Sequence, residues 1–376
     1  MIKKIAKKIL LLISSVVLVL LVSHFLFYLV LLDVFSFLPI FPYAFLIILL
    51  SFSFISVFLA QFLVNRFDNG YTASFYFLIA SWIGIAWQAF LAYFVIIILR
   101  FVLGLFAPVD FSIFSWFFIG LTAIFSLYGF YNAFSPENHE VKVEIENLPD
   151  FWLGKKIVHL SDVHIGAIYR QKFMARIVSE VEKIKPEMVL ITGDLFDGTE
   201  GDFSQSSKEL LALHAPSGVH FVCGNHEGRL IHSGPVEHLT GSGIEVLDNR
   251  LEEIHGLQIL GVTHPLNGIK TFDLAEKIKS LSGFNSKKPS ILMFHEPIQF
   301  SSVAEIGVDL YLAGHTHYGQ MFPFNFISNL AYQGYSRGVR KFKQMTGIIS
   351  TGVGTWGPPL RTLSRSEIVV ITLLRK

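Results

Sequence analysis

The chain has 376 residues, 52% of them hydrophobic and only 16% charged, against roughly 45–50% and about 25% in ordinary soluble domains. A net charge of +1 gives no ground to expect nucleic-acid binding, which needs a basic face. The single cysteine, Cys223, excludes an intrachain disulfide framework and fits a reducing compartment.

The hydrophobic excess lies almost wholly before residue 132, where the only charges are Lys3, Lys4, Lys7, Lys8, Asp33, Arg66, Asp68, Arg100 and Asp110. Four apolar runs, approximately Ile9–Leu32, Phe41–Val64, Ser74–Leu99 and Phe111–Tyr131, approach or exceed the roughly 20 residues that span a bilayer as helix. A cleaved signal peptide would account for the first run alone. A soluble helical core would carry polar faces that these runs lack. The lysines before the first run hold the N-terminus in the cytoplasm, and four crossings return the chain to that side, so a cytoplasmic soluble part is expected. Trp116, Tyr128 and Tyr131 suit interfacial anchoring, and His24 reads as a buried hydrogen-bonding residue.

Ser135-Pro136-Glu137-Asn138 ends the last run and sets a domain boundary near residue 136. Beyond it, Ile157–Leu160 reads as a strand, and Gln171–Ile184 as a helix with Phe173, Ile177, Val181 and Ile184 on one face. Met188–Thr192, Val219–Cys223, Ile291–Phe294 and Leu310–Ala313 read as further strands, an alternation that predicts βαβ units with helices on the sheet faces.

Polar clusters follow these strands in order: Asp162 and His164, then Gly193, Asp194 and Asp197, then Gly224, Asn225, His226 and Glu227, then His295, then Gly314, His315 and His317. Strand carboxyl ends line the ligand crevice of open α/β sheets, so the clusters should converge. Imidazoles with a few carboxylates are what a two-metal phosphoester-cleaving centre requires. The i, i+2 spacings of Asp162/His164 and His315/His317 would put both side chains on one side of extended backbone. The glycines before Asp194, Asn225 and His315 would permit a sharp exit from a strand.

In this order the motifs D-x-H, G-D-x-x-D, G-N-H-[DE], H and G-H-x-H resemble the calcineurin-like metallophosphoesterase superfamily, over roughly residues 155–376. The resemblance implies two divalent metal ions (Mn, Fe, Zn, Co or Ni), one held by Asp162, His164 and His317 and the other by Asn225, His295 and His315, with Asp194 bridging. It implies that His226 is the catalytic imidazole and that Asp197 and Glu227 orient ligands from behind. Gly314 to Gln320, Tyr332-Gln333-Gly334, Ser350 to Gly354, Pro358 and Arg361 are similar to a bacterial membrane-associated phosphodiesterase branch. That branch more often has glycine in place of Tyr318 and an acidic residue near Thr263-His264.

The expected architecture is an all-α transmembrane region of about four helices over residues 1–135, then an α/β metallophosphoesterase domain of layered β-sheets flanked by helices over 136–376. The expected function is metal-dependent hydrolysis of phosphodiester or pyrophosphate bonds at an inner or plasma membrane. Its partners would be the bilayer and a lipid-linked phosphate substrate such as UDP-2,3-diacylglucosamine. A phosphomonoesterase acting on proteins or nucleotides, or a non-catalytic membrane sensor, are the alternatives.

His139, His159, His214, His220, His232, His238 and His255 belong to no motif and read as ordinary surface or core residues. His264, followed by Pro265 in a loop expected to face the site, stands outside the ligand set. Gly352-x-Gly354 lacks the helix and lysine that a nucleotide-binding loop needs. The segment Met321–Ile327 is either an edge packed under the sheet or a surface for bilayer or acyl chain.

Overall fold

The computed structural model describes residues 43–67, 69–106, 112–197, 208–227, 243–265 and 268–376, with a few isolated positions besides. Most of the first apolar run, with His24, and also His232 and His238, lie outside the described residues. The chain divides into two units, Met1–Phe130 with Gly357–Leu360, and Tyr131–Trp356 with Arg361–Lys376.

The first unit holds α1 (Tyr43–Phe67), α2 (Gly70–Gly104) and most of α3 (Ser112–Phe134). The break between α1 and α2 is held by a capping box: Asn69 accepts from the Tyr71 and Thr72 amides at 2.9 and 3.1 Å, while Thr72 Oγ1 accepts from the Asn69 amide at 3.1 Å. Among the described residues two helical stretches, Gly70–Gly104 and Trp116–Phe134, are long and apolar enough to cross a membrane. The expectation of about four spans is met for the third and fourth runs, and most of the first run lies outside the described residues.

The second unit is a layered α/β sandwich. Its elements in chain order are β1 (Glu137–Ile145), β2 (Lys156–Leu160), α4 (Gln171–Ile184), β3 (Met188–Thr192), β4 (Val219–Val222), β5 (Ile244–Val246), β6 (Arg250–Ile254), β7 (Leu257–Gly261) and α5 (Leu274–Lys279). β8 (Ser290–Met293), α6 (Phe300–Glu305), β9 (Leu310–Ala313), α7 (Phe324–Ala331), β10 (Gly338–Phe342), β11 (Met345–Ile349) and β12 (Glu367–Arg375) complete it. Two six-stranded sheets have the orders β1-β12-β2-β3-β4-β5 and β10-β11-β9-β8-β7-β6. In the first, β12 runs antiparallel to β2 and the other pairs are parallel. In the second, β7, β8, β9 and β11 are parallel, with antiparallel β6 and β10 at the edges.

Side chains alternate across a strand, and β3 uses both faces. Met188 and Leu190 pack between the sheets against Ile291, Met293, Leu310 and Leu312. Val189 and Ile191 point the other way, to a core with Met174, Ile177, Val178 and Val181 of α4. A third core, with Leu274 and Ile278 of α5 and Val303 of α6, covers the outer face of the second sheet. The layers are therefore helix, sheet, sheet and helix. Both sheets deliver the carboxyl ends of parallel strands to the site.

Candidate metal centre

The strand ends do converge. Asp162 and His164 follow β2, Asp194 and Asp197 follow β3, and His226 and Glu227 follow β4, all from the first sheet. His295 follows β8, and His315 and His317 follow β9, from the second. The loops are stitched by backbone bonds that continue the strand pairing: Asp162 N to Gly193 O at 3.1 Å, His164 N to Asp194 O at 3.0 Å, and Gly314 N to His295 O at 2.9 Å.

The backbone at these residues is not extended. Asp162, His164, Asp194, His315 and His317 all have φ between 46° and 69°, a left-handed conformation uncommon for residues with a Cβ. The backbone is therefore not the extended one expected for the i, i+2 pairs: Asp162 and His164 still reach one group of ligands, whereas His315 and His317 reach different ones. Such conformations each cost of order 1–3 kcal/mol and gather at functional sites. Gly193 does have φ +85°. Gly224 and Gly314 serve differently, because a Cβ on either would collide with the Asp194 or Asp162 carboxylate respectively. Gly352 and Gly354 also belong to this scaffold: a Cβ on Gly352 would crowd Asp162, and the Gly354 amide donates to the Asp162 carbonyl at 2.7 Å.

Two groups of potential ligands form, Asp162 with His164 and His317, and Asp194 with His295 and His315. In the first, His164 Nε2 lies 3.1 Å from His317 Nε2, itself 3.3 Å from Asp162 Oδ1. In the second, His295 Nε2 lies 3.2 Å from His315 Nδ1 and 3.0 Å from Asp194 Oδ2. Asp162 Oδ1 is also 3.9 Å from His295 Nε2, so this carboxylate faces both groups. A third group joins His164, Asp197 and His226.

Hydrogen bonds behind the imidazoles fix which nitrogen faces inward. His295 Nδ1 donates to the Thr192 carbonyl at 2.7 Å, and His226 Nδ1 to the Asp197 carbonyl at 3.0 Å. His164 Nδ1 stands 3.4 Å from Asp197 Oδ1. Each leaves Nε2 toward the cavity. His226 Nε2 is 3.9 Å from Asp194 Oδ2, and the His226 amide donates to Asp194 Oδ1 at 3.0 Å. Glu227 is wholly buried and accepts from the Asp194, Phe196 and Gly224 amides at 2.9, 2.8 and 2.8 Å, clamping the loops that carry Asp194 and His226. Burial and the Asp194 carboxylate push Glu227 up to about 7, against the Phe196 and Gly224 amides.

These donors fit cations. Nitrogens bonded to one ion at about 2.0–2.1 Å stand roughly 3–3.5 Å apart, the spacing of both imidazole pairs. Burial works against charge on His295, yet the Asp194 and Asp162 carboxylates outweigh it and raise this imidazole to about 10. Burial likewise opposes ionisation of Asp194, but His295, His164 and His226 hold its carboxyl well below the usual range. Burial keeps His317 well below the ordinary imidazole range, as a neutral lone-pair donor. The cavity draws in positive charge.

Asn225 stands apart. It is exposed in the loop after β4, between Gly224 and His226. His159, bonded through Nε2 to Thr192 Oγ1 at 2.7 Å, and His220, 3.1 Å from the Ser217 carbonyl, are core residues.

Glu296 escaped sequence reasoning, and Arg361 entered it only through the branch resemblance, without a role. Glu296 accepts from Tyr332 Oη at 3.0 Å, sits 3.1 Å from His264 Nε2, and lies 3.9 Å from His315 Nε2. Its signal was its place directly after His295. Arg361, fully buried, donates to the Thr351 carbonyl at 2.7 Å and touches His317 Nδ1 at 3.2 Å. The resemblance named this arginine, but no local pattern pairs it with a histidine 44 positions away.

A sequence model of the family described as calcineurin-like phosphoesterase matches residues 155–319. A protein of Helicobacter pylori (strain ATCC 700392 / 26695), described as an uncharacterized metallophosphoesterase, is 36% identical over 252 residues, 66% of this chain and 67% of that one. A metallophosphoesterase of Aquifex aeolicus (strain VF5) is 31% identical over 62% of this chain and 90% of its own length. A Danio rerio protein named transmembrane protein with metallophosphoesterase domain is 31% identical over 67% of this chain and 61% of its own. With this site and these relatives, the chain belongs to the calcineurin-like metallophosphoesterases and is a metal-dependent phosphoesterase.

Proposed function

We propose that this is a membrane-held, multi-pass enzyme that hydrolyses phosphodiester or pyrophosphate bonds of a lipid-linked substrate, with UDP-2,3-diacylglucosamine one candidate. The observation that carries the hydrolytic reading is His226: its Nδ1–H is committed to the Asp197 carbonyl while Nε2 faces the bridging position of Asp194. Asp162, His164 and His317 would hold one divalent ion, and His295, His315 and Asn225 the other, with Asp194 between them. Such ions, when bound, acidify water and neutralise charge on a phosphoryl group. The protein's own part is positional. Glu227 fixes the Asp194 and His226 loops, Asp197 aims His164 and His226, and a proton at His226 Nε2 is the one available to a leaving oxygen.

Support for the membrane comes from α2. Six of its ten buried positions are small, Ala73, Ala80, Ser81, Gly84, Ala86 and Ala89, beside Ile79, Gln88, Tyr93 and Ile96, whereas Leu78, Phe94 and Phe101 face outward. Small residues inside and large apolar ones outside is how helices pack in lipid. The Danio rerio relative is named a transmembrane protein. The lysines ahead of the first run favour a cytoplasmic catalytic domain, beginning near residue 136. A C-terminal fluorescent fusion should glow and a C-terminal alkaline phosphatase fusion stay silent; the reverse pair would move the domain outside.

The substrate test uses full-length protein in lipid nanodiscs. Turnover of bis-p-nitrophenyl phosphate should exceed that of p-nitrophenyl phosphate and stop with chelator. On a pyrophosphate or diester headgroup, kcat/KM should rise with acyl length. Preference for the monoester would make the enzyme a phosphomonoesterase, and equal rates on acylated and deacylated substrates would end the lipid-linked reading.

A further inference from the structure

Most helices of the catalytic unit turn apolar side chains inward, but α7 does the reverse. Over its eight residues, Phe324–Ala331, the buried position is Asn325, while Phe326, Ile327 and Leu330 are 63%, 59% and 83% exposed. Phe322, just ahead of the helix, adds to the outer face, its ring edge-on to Phe326 with centroids 6.0 Å apart. A soluble surface seldom gathers large apolar side chains like this unless something covers them.

Two features say what covers them. The first is charge. Ser336 Oγ bonds Asn329 Oδ1 at 3.1 Å, tying the next segment to the middle of α7 and bringing Arg337 beside it, stacked 3.8 Å over the Tyr318 ring. Arg340 is exposed on β10 a few residues on. An exposed arginine beside an apolar helix face, with a second three residues on in sequence, suits a bilayer with anionic headgroups. The second is position. The first turn of α7 packs on Gly319, two residues beyond His317, and Thr316, between the two histidines of that loop, donates through Oγ1 to the Ser336 carbonyl. The apolar face is thus anchored to the loop that carries two of the metal-centre histidines.

We propose that the outward face of α7 is an interfacial surface that beds into the headgroup region of an anionic bilayer, setting the mouth of the metal centre at the lipid boundary. This rests on the membrane-held reading above and adds a contact that the apolar N-terminal helices do not supply. Phe322, Phe326, Ile327 and Leu330 would enter the acyl boundary, with Arg337 and Arg340 at headgroup level.

The sole cysteine, Cys223, is buried, so a surface cysteine can be labelled selectively. Full-length Leu330→Cys carrying an environment-sensitive fluorophore is placed in nanodiscs with anionic lipid, with Lys287→Cys, an exposed site away from α7, as reference. The label at 330 should shift to the blue and lose most of its emission when nitroxide-labelled lipids are present, while the label at 287 does neither. Arg337→Gln with Arg340→Gln should weaken the quenching most in discs of low anionic content. Water-like emission at 330 in discs that hold the chain overturns the proposal. So does a blue shift without lipid quenching, which would mean that a second copy covers α7. If the chain washes off the discs at alkaline pH, the membrane-held reading fails separately. The label then reports on added anionic vesicles, where quenching keeps the proposal and its absence ends it.

Discussion

Helix α2 and strand β3 use apolar residues in opposite ways. Along β3, Met188, Val189, Leu190 and Ile191 are all fully buried between layers. Along α2 the interior is mostly alanine, serine and glycine, joined by Ile79, Gln88, Tyr93 and Ile96, and Leu78, Phe94 and Phe101 are left 63%, 52% and 70% exposed. Large side chains are driven inward when the surroundings are water. Where the surroundings are themselves apolar that drive disappears, and close packing of small residues decides instead. Buried polarity differs too. In α2 it amounts to neutral Ser81 and Gln88, whereas the catalytic unit gathers Asp162, Asp194, His164, His295 and His317 in one place. Charge buried at such density is retained for a ligand that repays its desolvation.

The largest expected effect comes from Asp194→Asn, which removes the negative charge between the two ligand groups. Metal content measured by mass spectrometry should fall, and hydrolysis with it to near background. Retained metal with full turnover would show that the buried charge has some other purpose. His226→Ala should differ, since its imidazole faces the cavity without belonging to either main ligand group. A fall in kcat of about 10²–10⁴ is expected, with metal content unchanged. Loss of metal would make His226 a ligand instead.

Phe94→Asp probes the outward face of α2. A carboxylate near the middle of a span adds about 2.5–3.5 kcal/mol to insertion, so the variant should be depleted from alkali-washed membranes. Normal recovery there would mean that this face meets water or protein. The smallest effect is expected at Asp309, which accepts from the Ser290 amide at 2.9 Å. Burial raises its carboxyl to about 6 from an ordinary 3.8. A raised folded-state value means that the protonated form favours folding below about pH 4, and that this contribution is lost as pH rises through about 6. Asp309→Asn should therefore raise Tm at pH 8 and leave it nearly unchanged at pH 4. An equal shift at both pH values would point to packing rather than ionisation.

Much of this was legible in the sequence because parallel strands announce themselves as short apolar runs followed by chemistry. Met188–Thr192, Leu310–Ala313 and Gln171–Ile184 appear as expected. What stayed hidden depends on long-range pairing. β1 and β12 lie over 200 residues apart yet pair in parallel from Glu137 with Glu367 to Ile145 with Arg375. The edge strands β6 and β10 are largely exposed and carry no apolar run. The division into two facing sheets is invisible to local pattern. At the site the motif residues were readable, but the left-handed backbone of Asp162 and His164 was not, because the surrounding packing enforces it. Arg361 and Glu296 act through contacts that no spacing records.

The most direct test is metal removal and return in the full-length wild-type protein, following bis-p-nitrophenyl phosphate hydrolysis and metal content on the same samples. Hydrolysis should fall to background as the ions leave, with the fold retained by circular dichroism, and recover as a divalent ion is titrated back. A stripped sample, verified free of metal, that still turned over at the original rate would contradict a phosphoesterase centred on Asp162, Asp194 and their histidines.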